Sequence, residues 1–419
     1  MRKRPSIILM NRVYPPVRGA TGRVLRDLAR GLSRDGWQVY VLTTGPKSVR
    51  ERDGSVKVMR IKGPEKPKYA LGYLWIWVRL LIAGLRMPKT DIVVSMTDPP
   101  MLSVAGRLIA FFHKSKHIHW CQDLYPDVLG AIGVNVPGFI ETRLRRLSRR
   151  TMQRADKNIV IGRCMAKHLS HTGLDPRKIT VIPNWPDQEL LNGEADETEY
   201  TRTLNTIPEI EGSKTYDDLL KQGPRFRVLY AGSIGRAHPV DTILRAAESL
   251  NDTNPEIEFV FVGDGDGFDQ IADARAQRGL QNIRLLPYQP NSRLKEVMES
   301  GDVHLISMRD EAAGCLVPSK LYSALAVARP CIFIGPDACE AAKVIQDFKA
   351  GQIVHQGRVR ELIDAILRYR NDGDLWFEAH GGALEAGKVF VPQDSMDAWI
   401  SRARDMAGAQ NDNPGKAAG

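Results

Sequence analysis

The stretch "SIILMNRVYPPVRGATGRVLRDLARGLSRDGWQVYVLTT", residues 6–44, decides the fold. Ser6–Met10 is a short apolar run of strand length, and Gln38–Thr44 is another. Between them Val24, Leu25, Leu28 and Leu32 recur at helical spacing, and Gly36 supplies a stop signal. Outward from here the same alternation continues. Strands are predicted at Val56–Ile61, Asp91–Met96, His117–Gln122, Asn158–Ile161 and Ile179–Pro183. Strands alternating with helices predict an α/β chain whose parallel sheet is covered on both faces.

Residues 186–224 break this pattern. They are polar and acidic with no sustained period, and read as a linker or surface insertion with a short helix near Tyr216–Lys221. A second α/β unit follows at 225–394, with strands predicted at Phe226–Ala231, Ile257–Val262, Ile283–Pro287, Val303–Ser307, Cys331–Gly335 and Gln352–Val354. A further helical pattern spans 395–407, and the last residues read as disordered. Two domains suit a chain of 419 residues. Ligands of open α/β sheets bind outside the carboxyl ends of the strands, so two facing sheets would hold a substrate in the cleft between them.

The net charge of +10 is unevenly spread: residues 1–185 carry 34 Lys and Arg against 12 Asp and Glu, or +22, leaving −12 for the rest. A basic half fits an anionic partner, whether nucleic acid, a phosphate-bearing substrate or an acidic membrane. The basic run "RLRRLSRRTMQR" lacks interleaved aromatics and a nucleic-acid motif, so nucleic acid is disfavoured. Five scattered cysteines, Cys121, Cys164, Cys315, Cys331 and Cys339, lack metal-ligand spacing and read as cytoplasmic thiols. The apolar run after "MRKRP" is too short for an export signal.

Six places could carry chemistry or a contact. In "NRVYPPVRGATGRVL", Gly19 would let a backbone approach a ligand at a helix start, an anion site or an ordinary turn. In "VLYAGSIGRAHPVDTIL", Gly232 and Gly235 shape the equivalent turn, and Arg236 is either a diphosphate ligand or a surface arginine. "FVFVGDGDGF" lacks the third glycine of a dinucleotide fingerprint, Phe268 standing there; its Asp264 and Asp266 are a weak metal pair or turn residues. "HIHWCQDLYPD" gathers His119, Asp123 and Asp127 after a central strand, for acid–base work or for capping. "YALGYLWIWVRLLIAGLRM" (69–87) is very apolar, with Trp75, Trp77 and the basic Arg79 and Arg86; Lys66, Lys68 and Lys89 flank it. It is too interrupted to span a membrane and reads as an interfacial helix or a covered core helix. The lysine of "CLVPSKLYSALAVARP", Lys320, stands in a first helical turn, where the helix dipole disfavours a cation unless an anion joins it.

With these residues in order, the chain resembles the GT-B glycosyltransferases of family 4, group 1, in their bacterial O-antigen, capsule and exopolysaccharide branch. The motifs are "YPPVRGATGRVLRDLARGL", "SMTDPP", "QDLYPD", "VIPNW", "YAGSIGR", "FVGDGDG" and "VPSKLYSALAVARP". The resemblance implies two Rossmann-like domains facing across a deep cleft, with 1–185 binding acceptor and 225–394 binding a nucleotide sugar. It implies that helix 395–407 completes the first domain. The implied activity is retaining sugar transfer from a UDP-linked donor, a hexose or N-acetylhexosamine, to a polyprenyl-diphosphate-linked glycan. The setting would be peripheral, on the cytoplasmic face of an anionic plasma membrane, with no metal cofactor. Gly19, Arg236 and Lys320 would serve the donor diphosphate; Gly232, Gly235, Gly263, Glu311, Gly314 and Ser323 the nucleotide and sugar; Asp123, with His119, the reacting centre. The chain departs from the family at Gln122, where many relatives have histidine, and at a glutamate pair replaced by Cys315 and Ser323. Two rival readings are an epimerase of the same fold and a non-catalytic membrane adaptor.

Overall fold

A computed structural model describes residues 4–65, 67, 70–192 and 225–408. The expected linker over 193–224 with its helix near Tyr216–Lys221, the tail 409–419, and Lys66 and Lys68 lie outside the described residues. Contacts divide the chain into one unit of Met1–Leu129, Asn135–Asn184 and Gln393–Gly419 and another of Gly130–Val134 and Trp185–Pro392.

In unit 1, β1 (Ser6–Met10) is wholly buried, as an apolar strand covered on both faces must be. The helix α1 (Ala20–Arg34) buries Val24, Leu25, Leu28 and Leu32 and returns the chain to β2 (Gln38–Gly45). The remaining strands are β3 (Val49–Asp53), β4 (Val56–Lys62), β5 (Ile92–Ser95), β6 (Lys116–Cys121), β7 (Lys157–Val160) and β8 (Ile179–Val181). Their order across the sheet is β3-β4-β2-β1-β5-β6-β7-β8. All pairs are parallel except β3 with β4, a hairpin whose register pairs Val49 with Arg60 and Asp53 with Val56. The strand β3 was not predicted: its sequence, "VRERD", is charged and exposed, as an edge strand that discourages further pairing should be. The Asp53-Gly54 turn before β4 was the available signal. The helices α2 (Ala70–Leu85) and α3 (Leu102–His113) pack on one sheet face through Ile76, Leu80, Leu102, Ala105 and Ile109 against Ile8, Leu42 and Val93.

The C-terminal helix Pro392–Ala407 belongs to unit 1. Trp399 packs at a tilt against Trp120 of β6, with ring centres 4.6 Å apart, Ser395 donates to the Pro183 carbonyl, and Arg404 pairs with Asp35. This helix, more than 200 residues beyond β8 along the chain, therefore packs into the core of the first sheet.

Unit 2 has β9 (Phe226–Ala231), β10 (Ile257–Val262), β11 (Ile283–Leu286), β12 (Val303–Ser307), β13 (Cys331–Ile334) and β14 (Gly351–Val354). They form one parallel sheet in the order β11-β10-β9-β12-β13-β14, the doubly wound topology. Residues 188–192, expected within the linker, form a short helix of this unit because Leu190 is buried against Met298 and Val327.

Each sheet reverses its winding once, between β1 and β5 in unit 1 and between β9 and β12 in unit 2. Loops leaving adjacent strands there run to opposite faces, which opens a crevice at the strand ends. The motifs "YPPVRG" and "SMTDPP" fall at the first point and "YAGSIGR" and "VPSKLYSALAVARP" at the second, while "QDLYPD", "VIPNW" and "FVGDGDG" follow β6, β8 and β10.

Candidate active site

In unit 2 the loop after β9 is held by the loop after β10. Ile234 N–H donates to the Asp264 carbonyl at 2.8 Å, and Gly267 N–H donates to the Ile234 carbonyl at 2.9 Å. A Cβ on Gly263 would lie 2.4 Å from the Gly232 carbonyl oxygen, so position 263 needs glycine for the two backbones to nest this closely. Gly263 thus shapes the Gly232 loop through its backbone. A Cβ on Gly235 would meet nothing within 4 Å, so that part of the loop is open.

Lys320 opens the helix Lys320–Ala326 beyond β12. Its amine lies 5.3 Å from the centre of the Tyr230 ring, and its stem packs against Gly232. Burial drives its pKa down to about 8. His238 Nδ1 donates to the Ser307 carbonyl at 2.6 Å, which fixes the tautomer of the neutral ring. Burial, and then the Lys320 charge, hold the imidazole down to about 3. The two bases beside one another therefore carry a single positive charge near neutral pH.

Arg236 is exposed, with Nε 3.0 Å from Asp266 Oδ2. Asp266 is accounted for by this pairing. Ser323 is one helical turn beyond Lys320 and half-buried. Gly314, at φ 75°, turns the chain between β12 and that helix, and Glu311 is exposed on the 3-10 turn Asp310–Ala312. The expected donor residues of unit 2 thus collect around one switch point, whereas Gly19 belongs to unit 1. Arg309, which sequence reading passed over, joins them: its N–H donates to the Ala237 carbonyl at 2.9 Å and its Nε to the Arg236 carbonyl at 2.8 Å.

In unit 1, Asp123 follows β6 and its N–H donates to Thr97 Oγ1 at 3.3 Å. Burial, with the Asp98 charge adding, raises its carboxyl to about 6. Asp98 is paired to Arg12 at 2.8 Å, and the Arg12 N–H donates to the Asp98 carbonyl at 2.7 Å. Burial and then these carboxylates also push the Tyr125 hydroxyl up. Arg12, Asp98, Asp123 and Tyr125 therefore share the ends of β1, β5 and β6. Arg12 and Asp98 were legible only as members of larger motifs.

His119 and Asp127 do not join this group. His119 lies within β6, buried, with Nδ1 3.3 Å from Cys121 Sγ, and burial lowers it to about 4. It faces the interior because its strand is central and covered on both sides. Asp127 is taken up by Arg145 and by His168 Nε2, the latter at 3.3 Å. Gln122 forms a reciprocal amide pair with Asn184, at 3.1 and 2.7 Å, tying the "QDLYPD" and "VIPNW" motifs together.

Gly19 caps α1, and a Cβ there would come within 2.9 Å of Val13 Cγ1. The loop before it is fastened by Arg60, a buried side chain on β4. Arg60 donates to the carbonyls of Tyr14 at 3.2 Å and Thr44 at 3.3 Å and to that of Pro15, and pairs with Glu51 on β3. The unpredicted hairpin thus supports the Gly19 loop.

On α2 the two tryptophans separate. Trp75 is exposed, with the Arg79 guanidinium 4.6 Å from its ring centre. Trp77 packs inward, its Nε1 donating to the Met101 carbonyl at 3.0 Å, so it is a packing residue rather than the surface contact expected of it. Leu71, Leu74, Val78, Ile82 and Leu85 share the exposed side with Trp75, and Arg86 is exposed beside them. Among the described residues no helix is long and apolar enough to cross a membrane.

Comparison with known proteins matches the family described as "Glycosyltransferase Family 4" to residues 21–190 and "Glycosyl transferases group 1" to residues 214–376. The chain is 25% identical over 268 residues to "Probable glycosyltransferase WbjE" of Pseudomonas aeruginosa, spanning 64% of this chain and 62% of that one. It is 23% identical over 359 residues to "Putative colanic acid biosynthesis glycosyl transferase WcaI" of Escherichia coli (strain K12), spanning 80% and 84%. The fold is similar to that of Anabaena Alr3699/HepE solved with UDP and glucose, at TM-score 0.68 and 14% identity, over 96% of this chain and 100% of that one.

Proposed function

The chain belongs to the GT-B glycosyltransferases of group 1, and from that premise we propose a retaining sugar transfer from a UDP-linked donor to a polyprenyl-diphosphate-linked glycan in bacterial surface polysaccharide synthesis. The observation that carries this reading is the cation cluster at the β9/β12 switch point: Lys320 packed on Tyr230 and Gly232, and Arg236 on the adjoining loop. The fold neighbour HepE was crystallised with UDP-glucose, which supports the choice of nucleotide.

Breaking the glycosidic bond leaves its electron pair on the departing diphosphate. Lys320 and Arg236 stabilise that charge from fixed positions, which is where electrostatic catalysis is strongest. The acceptor hydroxyl attacks from the face the diphosphate leaves, and its proton passes to a phosphate oxygen of the leaving group. Asp123 is ionised above about pH 6 and accepts a hydrogen bond from the acceptor, orienting it. The exposed apolar side of α2, with Arg79 and Arg86, suits contact with an anionic membrane that carries a lipid-linked acceptor.

The experiment is UDP release from a panel of UDP-sugars with and without lipid-linked acceptors extracted from a polysaccharide-producing bacterium. Release should require acceptor, and Lys320→Ala and Arg236→Ala should each lower turnover by about 100-fold. Release that ignores the acceptor, or near-normal turnover in both variants, overturns the reading.

A further inference from the structure

Arg309 lies in neither of the glycine motifs and outside the "VPSK" helix start, yet the fold ties it to the same loops. Its backbone N–H and its Nε both bond carbonyls of the Arg236–Ala237 segment, so the end of β12 is stitched to the turn after β9. With Nε taken, the exposed side chain keeps its two terminal nitrogens without an ion-pair partner among the described residues. The other two cations assigned to this switch point differ from it. Arg236 is partly neutralised by Asp266, and the Lys320 amine loses its proton at a lower pH than an ordinary lysine. A guanidinium stays charged throughout the accessible pH range. Arg309 therefore adds to this switch point a guanidinium that, among the described residues, has no ion-pair partner.

We propose that Arg309 is a second arginine ligand of the donor diphosphate, gripping the phosphate farther from the nucleoside through its terminal nitrogens. The inference rests on the donor reading above. Two parallel N–H groups match two oxygens of one phosphate, and the bond from Nε to the Arg236 carbonyl sets the orientation before the ligand arrives. The same bond makes the two arginines a coupled pair: a shift of the Arg236 loop moves the Arg309 side chain with it.

The test compares UDP with UMP by calorimetry on the full chain. Wild type should bind UDP more tightly than UMP. Arg309→Gln should weaken UDP by about ten- to hundredfold while leaving UMP unchanged, and Arg309→Lys should recover part of the loss. Unaltered UDP binding by Arg309→Gln overturns the proposal. An equal loss of UDP and UMP overturns it too, because that pattern belongs to a residue that merely holds the loop. If wild type binds neither UDP nor ADP nor GDP, the donor reading itself fails and takes this inference with it.

Discussion

An ammonium packed against the Tyr230 ring and the Gly232 backbone is short of water, and for that reason the Lys320 pKa falls to about 8. On the proposed donor reading, the charged form is the one that would bind a diphosphate. Below pH 8 it predominates; as pH rises through 8 the charged fraction falls, and UDP affinity should fall with it. His238 does not blur this profile, since its ring is already neutral far below that range. UDP calorimetry should therefore give weaker binding at pH 9 than at pH 7, and Lys320→Arg should flatten the dependence because its charge persists. A wild-type affinity that is constant over this range would remove Lys320 from the phosphate site. The cation at a helix start was legible in sequence; its water-poor setting was not, since Tyr230 and Gly232 lie far away along the chain.

Between elements, the decisive contact in unit 2 is backbone on backbone. The "GDGDG" run looks in sequence like a nucleotide or metal motif, and in the fold its first glycine makes room for Gly232 while Asp266 pairs with Arg236. Gly263→Ala would force the two loops apart at a backbone conformation that side chains resist, φ 153°. It should cost about 1–3 kcal/mol of stability and weaken UDP binding more than tenfold, read by thermal melting and calorimetry; wild-type UDP binding by this variant would show the nest to be dispensable. Unit 1 solves the same problem differently: a charged hairpin supplies Glu51 and Arg60 to fasten the Gly19 loop. That hairpin was missed because its edge strand has no apolar period to read, only charge.

For the molecule as a whole, charge and apolar surface coincide on unit 1. The exposed side of α2 runs through Leu71, which is 77% exposed, Leu74, Trp75, Val78 and Ile82. Its opposite side fills the core through Ile76 and Leu80, so the helix is apolar on both sides for two separate reasons. The helix Gly138–Arg154 adds exposed Arg143, Arg146, Arg149 and Arg150 together with Phe139. Anionic vesicles should carry the protein upward in a flotation gradient, less so at high salt, and Leu74→Glu combined with Trp75→Glu should abolish it. Equal flotation of wild type and double variant would reject this surface.

The sequence by itself determined the strand-and-helix alternation, the two parallel sheets and the glycine-rich loops at their strand ends, because strand length, helical period and glycine turns are local signals. Tertiary structure alone decided which motif residues meet. It separated His119 and Asp127 from Asp123, turned Trp77 inward, and brought Arg12 to Asp98 and Arg309 to Arg236. The physical reason is the topological switch: two strands distant in sequence become neighbours there, and only the folded sheet fixes which loops share the crevice.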